Sequence, residues 1–250
     1  PFPMRQLLIL LTALLALSSC ASQYNIDGNS SLACMDGQKL YLRVTQYVDS
    51  RSRVVDIDSC EVIHGRFNFG GSVDSVAFVQ VYLNNERLMP LVLEGGELRM
   101  ELDNYGQSVT GGPLNERLTS FNKRRFPYEN ELYEIDRQAR RMLFEGHSMD
   151  EVRQRLEPRR DALLKKLEDL EVKFVLDNSD NALGTGYFMQ MASQLALPVL
   201  TPTMERIVDK APARFLRNPQ VRNYLVMTGL VNPDSVAATR LQKRLSRSNK

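Results

Sequence analysis

The chain has 250 residues, and its 32 basic against 30 acidic side chains leave a net charge of +2, so composition gives no reason to expect nucleic acid as a partner. Hydrophobic residues make up 43% of the chain, which is typical of a folded protein with a real core. The 250 residues contain no tryptophan, which weakens a carbohydrate-binding interpretation because flat aromatic platforms would have to come from tyrosines.

The N-terminal stretch predicts an export signal that ends at a lipidation site. Arg5 supplies a positive charge, and the apolar run over residues 7–17 is too short to cross a bilayer as a helix, which is typical of a signal peptide. Leu17-Ser18-Ser19-Cys20 resembles the lipobox of bacterial lipoproteins, in which the cysteine receives a diacylglycerol and the chain is cut before it. We therefore expect a signal peptide over residues 1–19 and a lipidated tether over residues 20–23. The alternative is an ordinary secretory signal with an incidental cysteine.

Residues 24–110 predict an antiparallel β-sandwich. Apolar and polar residues alternate along residues 40–45, 77–83 and 98–103, which is typical of half-buried strands. Six or seven such segments, joined by short turns, favour a sandwich of about 80 residues.

Turn residues and one proline predict the irregularities of this domain. His64-Gly65 has the layout of a two-residue hairpin turn, and residues 94–97 predict a second tight hairpin. A change in the apolar phase predicts a β-bulge near Ser59. Pro90 has no N–H to donate, so it predicts an edge strand or a bulge.

Cys34 and Cys60 are the two cysteines that remain once Cys20 is lipidated. An exported protein meets conditions in which disulfides persist, and a bridge between these two would close a loop of about 26 residues and stabilise the fold by roughly 3 kcal/mol. Two unpaired, partly buried thiols explain the same sequence, and both interpretations stay open.

Beyond residue 112 the apolar period becomes helical, so residues 113–250 predict a helical domain with a basic tail. Ser148 and Glu151 form a capping box that starts a second helix, and Pro158 is expected to bend or restart that helix. A third helix is expected over residues 181–197. Further helix starts are predicted where a capping residue precedes a first-turn proline, at Thr201-Pro202, Asn218-Pro219 and Asn232-Pro233.

One motif comes close to a catalytic signature. Residues 146–150, G-H-S-M-D, approach the G-x-S-x-G elbow of α/β-hydrolases, but Asp150 replaces the second glycine and no strand precedes the motif. Ser148 already has a capping role, and the chain offers only His64 and His147 as bases. We therefore predict no catalytic residues.

Acidic residues on one strand are the strongest candidate for a metal site. Asp56 and Asp58 share a strand face, with Glu61 nearby, and carboxylates in this arrangement can hold a cation. Solvated strand acids explain the same pattern, and no Cys/His cluster has zinc spacing, so we expect neither a metal nor a cofactor.

Seven arginines make the early helices locally basic: Arg137, Arg140, Arg141, Arg153, Arg155, Arg159 and Arg160. Acidic residues alternate with them. This pattern favours a salt-bridged, solvent-exposed face over a patch for an anionic ligand.

Six short motifs follow one another in the β half: YNIDG (24–28), DGQKLYL (36–42), DSCEV (58–62), GRFNFGG (65–71), LEGGEL (93–98) and VTGGPLN (109–115). This series resembles an uncharacterised family, domain-of-unknown-function family 4369, over about residues 24–120. The resemblance implies an envelope lipoprotein of the Bacteroidetes type, in which a helical segment and then a thioredoxin-like domain with a W-C-x-x-C motif usually follow.

The helical segment of that family is represented by DNALG at residues 180–184. The 250 residues contain neither tryptophan nor a C-x-x-C motif, so the resemblance transfers none of the family's redox residues to this chain. Cys60 does not replace them, because it lies on a predicted strand without a resolving cysteine beside it.

We expect a non-enzymatic lipoprotein that binds another envelope protein and is held at the membrane by lipid on Cys20. Ala21 in place of an aspartate favours the outer membrane by analogy with known sorting rules, and the lack of an acidic stretch after Cys20 favours the periplasmic face. Two alternatives stay open. One is an accessory of thiol–disulfide exchange, acting with a separate thioredoxin-like protein or through Cys34 and Cys60. The other is capture of a small ligand between the sandwich and the helices.

Overall fold

The computed structural model describes residues 22–48, 51–104 and 106–231. These residues form eight β-strands, one 3₁₀ turn and six α-helices, with every strand preceding the helices. The strands are β1 (Ser22–Ser30), β2 (Lys39–Val48), β3 (Arg51–Glu61), β4 (Arg66–Val73), β5 (Ala77–Leu83), β6 (Glu86–Leu93), β7 (Gly96–Leu102) and β8 (Gln107–Thr110). The helices are α1 (Pro113–Phe144), α2 (Met149–Asp177), α3 (Ala182–Ser193), α4 (Pro202–Lys210), α5 (Ala213–Leu216) and α6 (Pro219–Met227). The chain is therefore α+β, with a β-rich N-terminal part and a helical C-terminal part, as predicted.

The strands form two four-stranded sheets around one core. The first sheet has the strand order β4-β1-β7-β8 and the second has the order β3-β2-β5-β6. Because side chains alternate across each strand, one face of each sheet supplies the core. Its fully buried side chains include Ile26, Phe69 and Met100 from the first sheet and Leu40 and Leu91 from the second. This arrangement confirms the predicted β-sandwich.

One strand pair departs from the predicted antiparallel pattern. β1 pairs in parallel with β7, with Tyr24 opposite Gly96 and Ser30 opposite Leu102. The predicted hairpin at residues 94–97 is also wrong. β6 belongs to the second sheet and β7 to the first, so these residues carry the chain from one sheet to the other.

The predicted turn at His64-Gly65 is confirmed, although the strands on its two sides belong to different sheets. His64 and Gly65 have φ values of 51° and 74°, the left-handed conformation of a two-residue hairpin turn. Ile63 and Arg66 exchange both backbone hydrogen bonds across it, at 2.8 and 3.0 Å. Pairing does not continue along the strands: β3 lies beside β2 in the second sheet, and β4 lies beside β1 in the first.

The two predicted strand irregularities are both present, one of them displaced. The register of β3 against β2 shifts between Leu42 and Arg43, which makes Ile57 the extra residue rather than a position near Ser59. A phase change in the sequence reveals that a residue has been inserted, but it does not fix which one. Pro90 lies on β6, an edge strand, as predicted.

The predicted helix starts within the described residues are confirmed. Ser148 accepts a hydrogen bond from the Glu151 N–H at 3.2 Å, and the Glu151 side chain accepts one from the Ser148 N–H at 2.8 Å. Side chains of three more capping residues accept hydrogen bonds from the first turns of α3, α4 and α6; these are Asn181, Thr201 and Asn218. The predicted start at Asn232-Pro233 and the basic tail lie outside the described residues.

Pro158 does not restart α2. The helix runs from Met149 to Asp177 without interruption, so the expectation of a restart was wrong. Pro158 removes one backbone donor, but it lies on an exposed face where water can bind the carbonyl left without a partner.

The helices form a core that extends onto the sandwich. Phe121, Phe174 and Phe188 lie fully or almost fully buried in it, and it also contains Val92 of β6 and contacts Phe78 of β5. The helical part therefore packs on the outer face of the second sheet. A smaller cluster lies towards the loop that joins α1 and α2: Ile135, Met142, Val152, Leu156 and Leu163. Among the helices of the described residues, none combines the length and apolarity needed to span a membrane.

Candidate ligand cleft

The second sheet divides into two arms. β2 and β5 pair over four residues each, and their last pair is Arg43 opposite Gln80. Past this pair, residues 44–48 stay with β3 while residues 77–79 stay with β6. We call the gap between these two stretches the fork. In an antiparallel strand every second residue directs both its N–H and its C=O towards the same neighbour, so each arm has backbone groups directed into the fork.

A cleft of about 630 Å³ opens at the fork, between the sheet and the helices. The arms contribute Val44 and Phe78, and the helices contribute Met189 and Phe215. Polar side chains from the same elements also line it, so the surface offers both apolar contact and hydrogen bonds. This size lies within the range of known small-molecule and cofactor sites.

Gln80 lies at the closed end of the fork and has an unmet hydrogen-bonding group. Its side chain is 7% exposed and lines the cleft. The Nε2 atom donates to Gln190 Oε1 on α3 at 3.1 Å, whereas Oε1 is buried and has no hydrogen-bond partner among the residues that the structure describes. A buried acceptor without a donor costs about 1–3 kcal/mol, and a ligand donor that the Gln80 amide turns to meet would recover that energy.

Two glycines allow α3 to form the wall of the cleft. A Cβ on Gly186 would lie 2.1 Å from the ring of Phe78, so only glycine lets this helix approach β5 so closely. A Cβ on Gly184 would lie 2.3 Å from the carbonyl oxygen of Asn178. Helix α3 can therefore pack this closely against β5 and residue 178 only because these two positions have no side chain.

Glu94 fixes the first helix on the sandwich. Its carboxylate accepts hydrogen bonds from the backbone N–H groups of Leu114 and Asn115, at 3.1 and 2.9 Å, and so caps the N-terminus of α1. A Cβ on Gly112 would lie 2.2 Å from this carboxylate. The segment predicted as a hairpin thus supplies the cap that joins the sandwich to the helices.

The charges around the cleft are partly compensated. Arg214 forms an ion pair with Asp180 at 3.2 Å. Arg87 donates to the Ser193 hydroxyl at 3.3 Å, and no carboxylate of the described residues lies within ion-pair distance of it. The lining therefore has one arginine free to meet an acidic group.

Cys34 and Cys60 are free thiols in the structure, the first exposed and the second half-buried on β3. Burial raises the pKa of the Cys60 thiol to about 12, and the nearby Asp58 carboxylate adds to this rise. A hydrogen bond with the backbone of Asn68 opposes it. Cys60 is consequently a weak nucleophile at neutral pH. Cys20, the predicted lipidation site, lies outside the described residues.

The serine of the hydrolase-like motif serves as a helix cap. Ser148 is engaged with Glu151, and His147 Nδ1 lies 3.6 Å from the same carboxylate. All three side chains are exposed at the loop between α1 and α2, away from the cleft. This arrangement explains Ser148 as a structural residue.

The strand acids that form the strongest sequence candidate for a metal site have protein partners. Asp56 forms an ion pair with Arg43 at 2.7 Å. Asp58 accepts hydrogen bonds from the backbone N–H groups of Ser59 and Gly70, at 2.7 and 3.2 Å. Within the described ranges, no group of three or more His, Cys, Asp or Glu side chains is placed to hold a metal ion.

The arginines of the early helices divide into two groups. Those with ion pairs are Arg137 with Glu134, Arg153 with Glu157, Arg159 with Glu131 and Arg160 with Asp136. Among the described residues no carboxylate lies within ion-pair distance of Arg140, Arg141 or Arg155. The predicted salt-bridged face therefore accounts for four of the seven.

The sequence left open a ligand site between the sandwich and the helices but identified none of the residues of the cleft, although one of them carries a signal. β5 reads A-F-V-Q-V-Y-L, and Gln80 is the polar exception in a strand that is apolar on both faces. A polar residue on a strand face covered by helices needs a partner. No local sequence pattern predicts the fork, because pairing between β2 and β5 depends on residues that are far apart in the chain.

Comparison with known proteins supports the resemblance seen in the sequence. Residues 24–118 match a protein family described as a domain of unknown function, DUF4369. The match covers the sandwich, which includes Glu94, and the first turns of α1, which include Asn115. A search of curated proteins finds no match to this chain.

Proposed function

We propose that this chain, in which residues 24–118 form a domain of the DUF4369 family, is a non-enzymatic binding module of the cell envelope. Lipid on Cys20 holds it at the outer membrane, facing the periplasm. It acts by binding another envelope protein in the cleft between the second sheet and the helices.

The observation that carries the proposal is the unpartnered Gln80 Oε1 at the closed end of the fork. A buried acceptor without a donor lowers stability, and such groups are few in native proteins. Gln80 lines a cleft of about 630 Å³ whose walls come from both parts of the fold. A partner that supplies a donor gains affinity from it.

The same cleft supports the alternative of small-ligand capture, since the volume of the cleft suits a small molecule as well as part of a protein. The alternative of thiol–disulfide exchange has less structural support. The raised pKa of Cys60 leaves little thiolate at neutral pH, and Cys60 is not among the residues that line the cleft.

In-cell photocrosslinking tests the proposal. A photoreactive benzoyl-phenylalanine is introduced at Thr185, which lines the cleft on α3, and separately at Lys166, which is exposed on α2. Both variants are expressed with Cys20 and with Cys20→Ala. The expected result is one envelope protein crosslinked at Thr185, absent at Lys166 and reduced when Cys20 is replaced.

Each other outcome identifies which part fails. Equal crosslinking at Thr185 and Lys166, or none at either, contradicts the cleft as a recognition site. Crosslinking at Thr185 that persists unchanged in a fully soluble Cys20→Ala protein contradicts the need for the lipid anchor. A crosslinked small molecule at Thr185 in place of a protein favours the small-ligand alternative.

A further inference from the structure

We infer that the cleft binds an extended peptide segment, which enters the fork as an additional strand between β2 and β5. The inference rests on the proposed function and names the form in which its partner is bound. Three observations carry it: the unpaired strand edges, the unpartnered acceptor at their meeting point and the uncompensated arginine beside it.

The facing edges of the fork are the first observation. Residues 44–48 have β3 on one edge and residues 77–79 have β6 on one edge, and neither stretch has a strand partner on the other edge among the described residues. Each arm therefore presents N–H and C=O groups in the spacing of a β-ladder. An extended peptide satisfies both edges with its own backbone, as in other cases of strand addition.

Gln80 supplies the second observation. It belongs to the last pair that joins β2 and β5, so its side chain marks the point where an added strand must stop. A peptide backbone has an N–H at every residue except proline, so the end of the strand supplies a donor that the Gln80 amide meets by turning from the helix-covered face towards the fork. A hydrocarbon, which has no hydrogen-bond donor, does not meet this need.

The charge of the peptide follows from Arg87. This residue lies opposite Tyr82, two positions along β5 from Gln80 and past the closed end of the fork. Its guanidinium lines the cleft and has no carboxylate partner among the described residues. The peptide therefore carries a carboxylate, as an acidic side chain or as its C-terminus, at the end that reaches Gln80.

A phage-displayed library of random octapeptides supplies the probe, and the full chain purified in detergent is the target. The expected result is recovery of peptides that share an acidic end. Synthetic forms of one recovered peptide, each methylated at a single backbone nitrogen, then report the mode of binding. Strand addition between two arms predicts that methylation at each position within the fork weakens binding about tenfold, because successive N–H groups donate alternately to the two arms, while positions beyond the fork are tolerated.

Variants of the protein locate the peptide. Gln80→Leu is expected to weaken binding about tenfold, whereas Gln138→Leu, on the hairpin of α1 and α2, leaves it unchanged. Arg87→Gln is expected to remove the preference for an acidic end. If Gln80→Leu lowers the midpoint of thermal unfolding so far that it does not fold, the methylation series on the wild-type protein decides alone.

Failure of this inference can be told apart from failure of the proposed function. Peptides that tolerate methylation at every position, or a library from which none is recovered, overturn strand addition. If crosslinking from Thr185 still captures an envelope protein in that case, the binding module stands and its partner is recognised through a folded surface. If both experiments are negative, both proposals fall.

Discussion

Asn115 pairs with the backbone of Val92 across the boundary between the sandwich and the helices. The Val92 N–H donates to Asn115 Oδ1 at 2.9 Å, and Asn115 Nδ2 donates to the Val92 carbonyl at 2.7 Å. β6 is an edge strand, so these backbone groups have no neighbouring strand to bind. The fully buried Asn115 side chain takes the place of that strand and joins the first turn of α1 to the sheet.

Replacing Asn115 with alanine is expected to destabilise the whole fold. The change removes both hydrogen bonds to Val92 and leaves its N–H and C=O buried without partners, at a cost of about 3 kcal/mol in the free energy of unfolding. Urea denaturation followed by circular dichroism measures it. Asn130→Ala, at an exposed position of the same helix, is the matched control and is expected to change stability by less than about 0.5 kcal/mol. Equal effects at the two positions would show that the Asn115 side chain contributes little.

Gly186→Ala tests how α3 reaches the sheet. The new Cβ would lie 2.1 Å from the Phe78 ring, so we expect a loss of roughly 1–3 kcal/mol in the free energy of unfolding. In a Phe78→Ala background the obstructing ring is gone, and the same substitution should become neutral or stabilising because alanine favours a helix over glycine by about 1 kcal/mol. Denaturation of the four proteins gives the coupling between the two residues. A cost that persists in the Phe78→Ala background would rule out this contact as its cause.

The stability of the helical core should depend on the protonation of Glu171. Burial raises the pKa of this carboxyl above its ordinary value, while a hydrogen bond from Tyr187 at 2.9 Å and the positive charge of Arg125 oppose the rise. Between the ordinary pKa and the raised one the folded protein holds a proton that the unfolded chain has lost. The free energy of unfolding therefore falls as pH rises through this range.

Glu171→Gln is expected to remove this dependence, so the variant should gain stability relative to wild type as pH rises from the ordinary pKa of a glutamate through the raised one. Urea denaturation at a series of pH values measures the difference between the two proteins. Glu157→Gln controls for the loss of one exposed carboxylate from the same helix. A difference between wild type and Glu171→Gln that is constant with pH would contradict the raised pKa.

Local features of the fold were predictable because a few adjacent residues determine them. Ser148 with Glu151 fixes a capping box whatever lies elsewhere in the chain, and His64-Gly65 adopts the left-handed conformation that its turn requires. The helical period after residue 112 was equally plain. These predictions depend only on conformational preferences and hydrogen bonds among residues that are close together in the sequence.

Strand partners were not predictable from the same signals. Residues 94–97 have the composition of a hairpin turn, yet they cross between the sheets because Glu94 caps α1 and because β7 pairs with β1 instead of β6. Alternating apolar residues show which face of a strand is buried, but not which strand lies beside it. The fork and its cleft depend on such pairing, so a site between the sandwich and the helices could be proposed from the sequence, but the residues that line it could not be named.

The two cysteines are expected to react at very different rates with iodoacetamide. Cys34 is exposed, whereas Cys60 is half-buried and its pKa is raised to about 12, chiefly by burial. Because the thiolate is the reacting form, alkylation of Cys60 at pH 8 should be at least about 100-fold slower than that of Cys34. Mass spectrometry of peptides from a time course on the folded protein measures both rates, and denatured protein is the control in which they converge.

The same experiment decides between the two interpretations of these cysteines in the cell. Protein taken from oxidised envelopes and mapped without reducing agent should show both thiols available for alkylation after denaturation, since they are free in the structure. A peptide that links Cys34 to Cys60 would instead establish the bridge, and denatured protein would then react at neither position until it was reduced. Fast alkylation of Cys60 in the folded protein would contradict its raised pKa and restore it as a candidate for thiol–disulfide exchange.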